Sequence, residues 1–113
     1  GFLEATSNIS FNTWEHVLVT RSNGVIYFYI NGVAAGSGTR NGSISAGSYS
    51  ILGMFNAPTQ NPLQGNMDEV AIWDKALTSC DAAGIYQASS NGITADLSTV
   101  YPSSLKYYNR MGD

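Results

Sequence analysis

The sequence predicts an all-β fold, an antiparallel two-sheet sandwich with one short helix in its C-terminal part. Three observations lead to this prediction. Short stretches rich in β-branched and aromatic residues recur along the 113 residues, Gly, Asn, Ser and Pro separate them, and only one stretch has the pattern of a capped helix. Such an order of elements is typical of a sandwich and not of a βαβ fold. The length allows one domain at most.

The strongest strand signals lie in the first third of the chain. Residues 14–21, WEHVLVTR, are apolar on both faces and predict a strand that is covered on both sides. A turn signal at residues 22–24 and a second strand, VIYFYI at residues 25–30, follow. Asn31-Gly32 then predicts a type I′ hairpin, because both positions of that turn need positive φ. Residues 33–35 are expected to pair back.

Loops and further strands occupy the middle of the chain. Residues 36–48 and 55–64 read as loops because Gly, Asn, Ser and Pro are frequent in them, and residues 49–53 read as a short strand. Residues 2–6 could form a strand at the start. Residues 66–73, NMDEVAIW, alternate in polarity. Met67, Glu69, Ala71 and Trp73 fall on one face of this predicted strand, and Asp68, Val70 and Ile72 fall on the other.

One short helix is predicted over residues 79–88. Thr78 can cap its N terminus, and Asp81 lies in its first turn, where a negative charge interacts favourably with the helix dipole. Residues 97–105 then read as a loop, and residues 106–111 as a last strand.

Charge and hydropathy exclude two classes of partner. Only 12% of the residues are charged, about half the usual ~25%, and the net charge is −3. The five cations are scattered, whereas nucleic-acid binding needs clustered ones. No apolar run approaches the ~20 residues of a membrane-spanning helix. Cys80 is the single cysteine, and we expect a small buried or half-buried thiol.

Three stretches together resemble the laminin G-like, concanavalin A-like jelly roll. Residues 14–17, WEHV, are similar to the W-x-H-V opening of a family strand, and residues 27–32, YFYING, resemble its next strand and hairpin. Residues 65–73, GNMDEVAIW, followed by Ala76-Leu77-Thr78, resemble the family's D-E-V strand and the start of the short helix after it. The resemblance implies a jelly-roll sandwich with one flatter and one concave antiparallel sheet.

The resemblance also divides the chain. It implies that residues 1–92 are the later part of a laminin G-like sandwich, because such domains carry further strands before W-x-H-V. Residues 93–113 are expected to be a linker and final strand, or the start of a following module. LKYYNRMGD, at residues 105–113, is similar to a stretch found after or between such domains in phage and marine environmental proteins. We therefore expect cover from flanking residues or from neighbouring subunits of a larger assembly.

The pair Asp68-Glu69 is the main candidate for acid chemistry. Neighbours on a strand point to opposite faces, so these carboxylates cannot converge on one glycosidic bond. The hydrolases of the resembling family have an E-x-D-x-E strand, which this sequence lacks, and we expect no enzyme. Asp68 shares a face with Val70 and Ile72, and a carboxylate at the edge of a core must be hydrogen-bonded or bound to metal. In the resembling family an aspartate at this place sometimes ligates a structural calcium, which makes Asp68 the candidate metal ligand; hydrogen bonds to loop amides are the alternative, and the one that we expect.

Aromatic and amide side chains are the candidate ligand-binding residues. Tyr27 and Tyr29 share a face opposite Ile26, Phe28 and Ile30, and are expected to form a solvent-facing aromatic surface. The two predicted loops add side chains that recognise hydroxyl groups, although any solvated loop contains such residues. The candidates in these loops are Arg40, Asn41, Asn56, Gln60 and Asn61.

Three further aromatic side chains have simpler interpretations. Trp14 and Trp73 have flat rings that can stack on sugars, but both occupy core positions of the resembling family and are expected to pack there. His16 is the only histidine, and no nucleophile or acid partner is identifiable from its spacing. We expect it to be packed and hydrogen-bonded in a sheet.

A non-catalytic recognition or adhesion module is the leading functional hypothesis. Its ligand would be a glycan or a surface protein, and its setting a virion fibre, spike or decoration. A purely structural assembly domain of a capsid, tail or surface array is the alternative. Both hypotheses imply an extracellular or virion-surface location, and the sequence separates them poorly.

Overall fold

The computed structural model describes residues 3–42, 62–89 and 94–111. The elements of this part of the chain, in order, are β1 (Val17–Ser22), β2 (Val25–Ile30), β3 (Val33–Thr39), β4 (Val70–Trp73), α1 (Ser79–Ala88), a 3₁₀ turn (Leu97–Thr99) and β5 (Leu105–Asn109). β1, β2 and β3 form one antiparallel sheet in that order, and β4 pairs antiparallel with β5 in a second. The predicted fold class, mostly β with two antiparallel sheets and one short helix, is confirmed.

Two tight hairpins join the strands of the first sheet. Asn23 and Gly24 have φ values of 51° and 77°, and Asn31 and Gly32 have values of 51° and 76°. Two consecutive positive φ values are what a type I′ turn requires, and its twist matches that of the strands it joins. The strand residues that flank each turn lie directly opposite one another. The hairpin predicted at Asn31-Gly32 is therefore confirmed.

β3 is longer than the three residues predicted for it. It continues to Thr39 through a shift of register against β2, and Gly36 adopts a φ of 104° within it. Two residues of β3, Ala35 and Gly36, thus lie opposite the single residue Phe28, as in a β-bulge, and glycine readily adopts the positive φ there. On the outer edge of β3, the N–H of Thr6 donates to the carbonyl of Ala35 at 2.8 Å. The described part of the predicted N-terminal strand makes this bond without forming a strand.

β4 is shorter than predicted, because the regular alternation breaks at Glu69. This residue has a φ of 53°, in the left-handed region, and the strand begins only at Val70. β4 pairs with β5, which lies in the segment expected to be a linker, a final strand or a new module. The indole N–H of Trp73, which is half-buried, donates to the carbonyl of Val100 at 2.7 Å. The core position expected for Trp73 is confirmed.

α1 begins and ends where the sequence predicts. The hydroxyl of Thr78 accepts from the N–H of Asp81 at 3.1 Å, and the Asp81 carboxylate accepts from the N–H of Thr78 at 2.8 Å. This reciprocal capping box satisfies backbone donors that a helix leaves unpaired at its N terminus. The same bond from Thr78 is the largest of the effects that lower the pKa of Asp81.

The position of Cys80 differs from the expectation. Its thiol is exposed, because Ala82 and Ile85 occupy the inner side of α1. The prediction of a buried or half-buried thiol is wrong. No helix in the described part of the chain is both long and apolar enough to cross a membrane.

The core lies where α1 and the 3₁₀ turn meet one face of the first sheet. It draws on both sheets, since Trp73 and Tyr108 pack against it from β4 and β5. Residues that follow α1 also belong to this core, together with residues of the strands. The buried members are Leu18, Tyr29, Leu77, Ala82, Ile85, Ala95 and Leu97.

The opposite face of the first sheet is open. Val17 and Val19 are each 56% exposed, whereas Leu18 and Thr20, which alternate with them along β1, are 9% and 7% exposed. Within the described ranges, no helix or strand packs on the side of the two valines. The prediction of a strand covered on both sides is therefore wrong for these residues.

Several predictions fall outside the described residues. They are the strand at residues 49–53, most of the loop at residues 55–64, and three of the candidate ligand-binding residues. Those three residues are Asn56, Gln60 and Asn61.

Candidate ligand-binding surface

One end of the first sheet carries the turn at Asn23-Gly24 and the chain that leaves β3. The N–H of Arg40 donates to the carbonyl of Gly24 at 2.7 Å. The guanidinium of Arg21 donates to the carbonyls of Arg40 and Gly42 at 3.1 and 2.5 Å. These bonds hold the backbone of residues 40–42 against β1 and β2. We call this end of the sheet, comprising Tyr27 and residues 40–42, the loop end.

Three of the predicted ligand-binding residues are exposed at the loop end. Tyr27 lies on β2, opposite Ser37 of β3, and is 43% exposed. Arg40 and Asn41 follow the end of β3 and are also exposed. Tyr27 lies on the face of the sheet that carries Thr20, whereas Arg21, which holds the backbone of residues 40–42, lies on the opposite face. The ring offers an apolar face, and the polar groups offer hydrogen bonds.

Tyr29 does not belong to this surface. Its side chain is only 6% exposed, so the prediction that it faces solvent with Tyr27 is wrong. Both residues lie on one face of β2, but Tyr29 is at the end that Leu77 and Ile85 cover, and it packs in the core with them. Tyr27, two residues nearer the loop end, lies outside that cover. The alternation of side chains along a strand correctly places Tyr27 and Tyr29 on the same face. It does not indicate how much of that face α1 and Leu77 cover.

An open cleft lies on the other face of the sheet. It has a volume of about 490 Å³, and its walls combine Val17 and Phe28 with the polar residues Glu4, Ser7 and Asn8. The cleft is open because no described strand or helix covers the side of Val17. Its lining combines apolar side chains with hydrogen-bonding groups, and no pattern in the sequence indicates it.

A turn before β1 presents two exposed aromatic side chains, Phe11 at 94% and Trp14 at 68%. The Glu15 carboxylate closes this turn by accepting from the N–H of Ser10 at 3.1 Å, and it also accepts from the side-chain amide of Asn31. The bond from Ser10 is the largest of the effects that lower the pKa of Glu15. The expected core position of Trp14 is wrong, because its side chain lies largely in solvent.

Asn31 links this turn to the hairpin. Its side-chain carbonyl accepts from the N–H of His16 at 2.9 Å, and its own N–H donates to the carbonyl of His16 at 2.9 Å. The His16 ring lies 6.4 Å from the ring of Tyr86 on α1, and burial lowers the pKa of the imidazole. Among described residues, its buried Nδ1 has no hydrogen-bond partner. His16 is thus packed as expected, but the hydrogen bonds that it makes with Asn31 involve its backbone and not its ring.

The buried carboxylate of the acidic pair is Glu69 and not Asp68. The Glu69 side chain is 10% exposed, and it accepts from the hydroxyls of Thr94 (3.2 Å) and Tyr108 and from Nε of Arg110 (3.2 Å). Burial, followed by the bond to Glu69, raises the pKa of Tyr108. Asp68 is half-buried and accepts from the N–H of Glu69 at 2.9 Å. The positive φ of Glu69 breaks the alternation on which the choice of Asp68 rested.

A structural calcium at Asp68 stays a prediction. Calcium takes about 6–8 oxygen ligands. Among the described residues, no three His, Cys, Asp or Glu side chains cluster as a metal ion requires. The observed bond to a neighbouring amide satisfies one oxygen of Asp68 in the way that the alternative prediction described.

Sequence reasoning missed Glu69 because its partners are distant in the chain. Thr94, Tyr108 and Arg110 follow it by 25, 39 and 41 residues. No local pattern indicates such pairings. The weak signal that was available is the presence of two strand-like segments, VAIW and KYYN, whose pairing in the structure places Glu69 and Arg110 at the same end of the second sheet.

Comparison with known proteins gives one family and one structural neighbour. The laminin G-type profile of the concanavalin A-like lectin/glucanases superfamily matches residues 2–83. A crystal structure of an S-layer domain-containing protein (residues 221–444) from Clostridium thermocellum ATCC 27405 is similar, with a TM-score of 0.63 and 26% identity. The similarity covers 73% of this chain and 43% of that one, so the chain spans less than half of that structure. No curated protein sequence matches.

The matched region contains β1 to β4 and the first half of α1, and so includes most of the elements that build the first sheet and its cover. The antiparallel sheets, the two hairpins and the single capped helix agree with what the resemblance of the three sequence stretches implies. The chain belongs to the concanavalin A-like lectin/glucanase superfamily.

Proposed function

We propose that this chain is a non-catalytic recognition module of a surface protein, and that it binds a glycan at the loop end of the first sheet. The observation that carries the proposal is the exposure of Tyr27, Arg40 and Asn41, which all lie at the same end of the first sheet. The hydrogen bonds of Arg21 to the carbonyls of Arg40 and Gly42 preorganise the backbone there. Preorganisation lowers the entropy cost of binding.

The chemistry of the loop end suits a sugar. A partly exposed phenol ring offers an apolar face on which a pyranose ring can stack, and its hydroxyl can donate or accept. The guanidinium of Arg40 has only donors, whereas the amide of Asn41 both donates and accepts, and sugar hydroxyls can pair with all of these groups. Sites that place a few polar groups beside apolar surface are typical of small-ligand binding.

The absence of catalysis rests on the state of the acidic pair. A glycosidase needs two carboxyl groups on either side of one bond, one of them available as an acid. In this chain, both oxygens of Glu69 accept hydrogen bonds from Thr94, Tyr108 and Arg110. Its carboxylate therefore links β4 to the C-terminal segment, and the proposal assigns it a structural role.

The surface location rests on the similarity to an S-layer domain-containing protein at 26% identity. Together with membership of a lectin-like superfamily, this neighbour supports an extracellular setting. A virion fibre, spike or decoration stays a prediction from the C-terminal sequence LKYYNRMGD.

The test is a glycan array probed with the labelled chain, followed by calorimetry on the strongest ligand. Tyr27→Ala is expected to weaken binding by about tenfold, which corresponds to ~1.4 kcal/mol. Tyr107→Ala is the matched control, because Tyr107 is 42% exposed but lies on β5 of the other sheet. Binding that falls equally in both variants, or no glycan binding at all, would contradict the proposal. Specific retention of a protein without any glycan would favour a protein ligand.

A structural role in assembly is the second candidate function. The observation that favours it is the open face of the first sheet, where Val17 and Val19 are each 56% exposed. Exposed apolar groups that lie side by side mark interfaces more often than single ones do.

A further inference from the structure

Asparagine is followed by glycine at four places in the chain: Asn23-Gly24, Asn31-Gly32, Asn41-Gly42 and Asn91-Gly92. In such a pair the backbone nitrogen of the glycine can attack the side-chain carbonyl of the asparagine, because glycine has no Cβ to hinder the approach. The first three pairs lie within the described residues. They differ in the backbone conformation, the hydrogen bonds and the charges around the reacting atoms, and these differences decide which pair reacts in the folded protein.

The two pairs in the hairpins have a backbone conformation that opposes the reaction. Asn23-Gly24 and Asn31-Gly32 each have the consecutive positive φ values of a type I′ turn. Closing a planar ring between the glycine nitrogen and Cγ requires the ψ angle of the asparagine to leave the value that this turn imposes. The strand pairs that flank each turn resist that rotation. Both hairpins therefore slow the attack.

Asn31 is held more firmly than Asn23. Its side-chain carbonyl accepts from the N–H of His16 at 2.9 Å, and its side-chain amide donates to the carboxylate of Glu15. Both bonds must break before Cγ can turn toward the nitrogen of Gly32. The negative charge of Glu15 also disfavours the loss of the amide proton that precedes the attack. Asn31 is thus expected to react most slowly of the three.

Asn41-Gly42 has none of these restraints. The pair follows the end of β3 and lies outside both hairpin turns, and both of its residues are exposed. The bonds from Arg21 go to the carbonyls of Arg40 and Gly42, and none among the described residues holds the side chain of Asn41. A Cβ added to Gly42 would meet no described atom within 4 Å. The side chain of Asn41 therefore has room to turn toward the nitrogen of Gly42.

The charges around Asn41-Gly42 favour the attack. The guanidinium of Arg21 bonds to a carbonyl on either side of the peptide group that reacts, so a positive charge lies beside it. Residues 16–67 contain two arginines, Arg21 and Arg40, and no Asp or Glu. A nearby cation stabilises both the deprotonated amide nitrogen and the negatively charged tetrahedral intermediate.

We propose that Asn41 is a site of spontaneous deamidation in the folded protein, and that Asn23 and Asn31 are protected from it. The nitrogen of Gly42 attacks Cγ of Asn41. The N–Cγ bond forms, the Cγ–Nδ2 bond breaks, and the proton of the attacking nitrogen leaves with the side-chain amide group as ammonia. Water then opens the succinimide ring at either carbonyl, which yields aspartate or isoaspartate at position 41. Water is the only co-reactant, and nothing is oxidised or reduced.

The reaction changes the chemistry of the loop end. A neutral amide, which both donates and accepts, becomes a carboxylate that only accepts, and the loop end gains a negative charge. Isoaspartate also adds a methylene group to the backbone. We expect the product to bind a glycan more weakly. This consequence rests on the proposed function, whereas the deamidation itself does not.

The test incubates the whole chain at mildly alkaline pH and follows each Asn-Gly pair by peptide mapping with mass spectrometry. In the folded protein, Asn41 is expected to react at least about fivefold faster than Asn23, with Asn31 slowest. In urea the three rates are expected to converge, because the unfolded chain has lost the turns and the hydrogen bonds. A folded protein in which Asn23 or Asn31 reacts as fast as Asn41 would overturn the proposal. So would an Asn41 that stays intact in the folded protein and reacts in urea.

Two variants separate the causes. Gly42→Ala is expected to slow the reaction at Asn41 by at least about tenfold, because a Cβ hinders the attacking nitrogen, and to leave the rate at Asn23 unchanged. Glu15→Ala removes the acceptor of the Asn31 amide, and is expected to speed the reaction at Asn31 without changing that at Asn41. A rate at Asn41 that does not respond to Gly42→Ala, or one at Asn31 that does not respond to Glu15→Ala, would contradict the proposed mechanism.

A last measurement concerns glycan binding. Ion exchange separates the deamidated form by its added charge, and both forms are applied to the glycan array. Weaker binding of the deamidated form supports the consequence, and equal binding of the two forms overturns it. If the intact form binds no glycan, the proposed function fails while the deamidation established by peptide mapping stands.

Discussion

The two faces of the first sheet are built from the same strands but have opposite environments. On one face, Leu18 and Thr20 are 9% and 7% exposed; on the other, Val17 and Val19 are each 56% exposed. The more hydrophilic residue of these four, Thr20, is thus among the buried ones. The difference is made by α1 and the 3₁₀ turn, which pack against the first face only.

On the first sheet, the burial of a residue therefore depends on whether α1 packs against its face and not on how hydrophobic the residue is. In WEHVLVTR, each of the two faces of the strand carries apolar residues, so the sequence does not specify which face is covered. The same holds within a single face, since Tyr29 is 6% and Tyr27 is 43% exposed. The degree of burial therefore differs between the two faces of the sheet and also between the two ends of one face. The following variants test these differences.

The largest expected effect is at Tyr29. Tyr29→Ala removes a buried aromatic side chain from the cluster with Leu18, Leu77 and Ile85, and should reduce the free energy of unfolding by about 3–5 kcal/mol. Tyr27→Ala, on the same face of the same strand, should cost less than about 1 kcal/mol because Tyr27 lies largely outside the core. Urea denaturation of both variants measures the difference. Equal losses would show that the cover extends to Tyr27.

The two hairpin glycines give an intermediate effect. Both have positive φ, so Gly32→Ala and Gly24→Ala each carry a conformational cost of about 1 kcal/mol. A Cβ on Gly32 would in addition lie 3.1 Å from Cα of Ala83 and from Cβ of Tyr86, on the rigid helix. A Cβ on Gly24 would meet the side-chain oxygen of Asn41, which can rotate away.

Gly32→Ala should therefore destabilise the protein by about 1 kcal/mol more than Gly24→Ala, since overpacking adds to the cost of φ. Gly32→Val should cost still more, because a β-branched residue resists positive φ. Thermal unfolding of the three variants provides the ranking. Identical melting temperatures for Gly32→Ala and Gly24→Ala would contradict the contact between the hairpin and α1.

The smallest expected effect is a pH dependence of the free energy of unfolding, which arises from the titration of His16. Burial lowers the pKa of this residue from its ordinary value of 6.5, so the folded state favours the neutral imidazole. Stability is then complete above about pH 6.5 and falls as the pH decreases below it, because the unfolded chain binds the proton more readily. Chemical denaturation at about pH 7.5 and about pH 5.5 should show lower stability at the acidic value.

His16→Gln is the control for this effect, because glutamine does not titrate and its stability should be level across the same range. The lowered pKa values of Glu15, Asp81 and Asp96 act in a different window. Their contribution is present above their ordinary values of 4.5, 3.8 and 3.8, and is lost only at more acidic pH. A wild-type protein equally stable at both pH values would show that the imidazole is solvated.

The features that the sequence predicted correctly are local. Asn31-Gly32 determines its turn through the φ values of two adjacent residues, and Thr78 and Asp81 determine the start of α1 across three residues. Antiparallel strands joined by short turns then follow without long-range information. For this reason the fold class, the hairpin and the helix limits were all accessible from the sequence alone.

The features that the sequence did not predict depend on contacts between distant residues. Whether Tyr29 or Val17 is buried depends on α1, about fifty residues later in the chain. The burial of Glu69 depends on Tyr108 and on a positive φ that no pattern of polarity indicates. Of the predicted ligand-binding residues, Arg40 and Asn41 are held at the same end of the sheet as Tyr27 because the N–H of Arg40 bonds to the carbonyl of Gly24, which is also a tertiary contact.

The bonds of Glu69 bear on how the protein should be trimmed for expression. The family match ends at residue 83, within α1. A fragment cut there would remove Thr94, Tyr108 and Arg110 and leave a carboxylate without its donors, and it would also lose Ala95 and Leu97 from the core. The segment outlined by sequence similarity is thus smaller than the cooperative unit, and a shortened version should retain the chain through Met111.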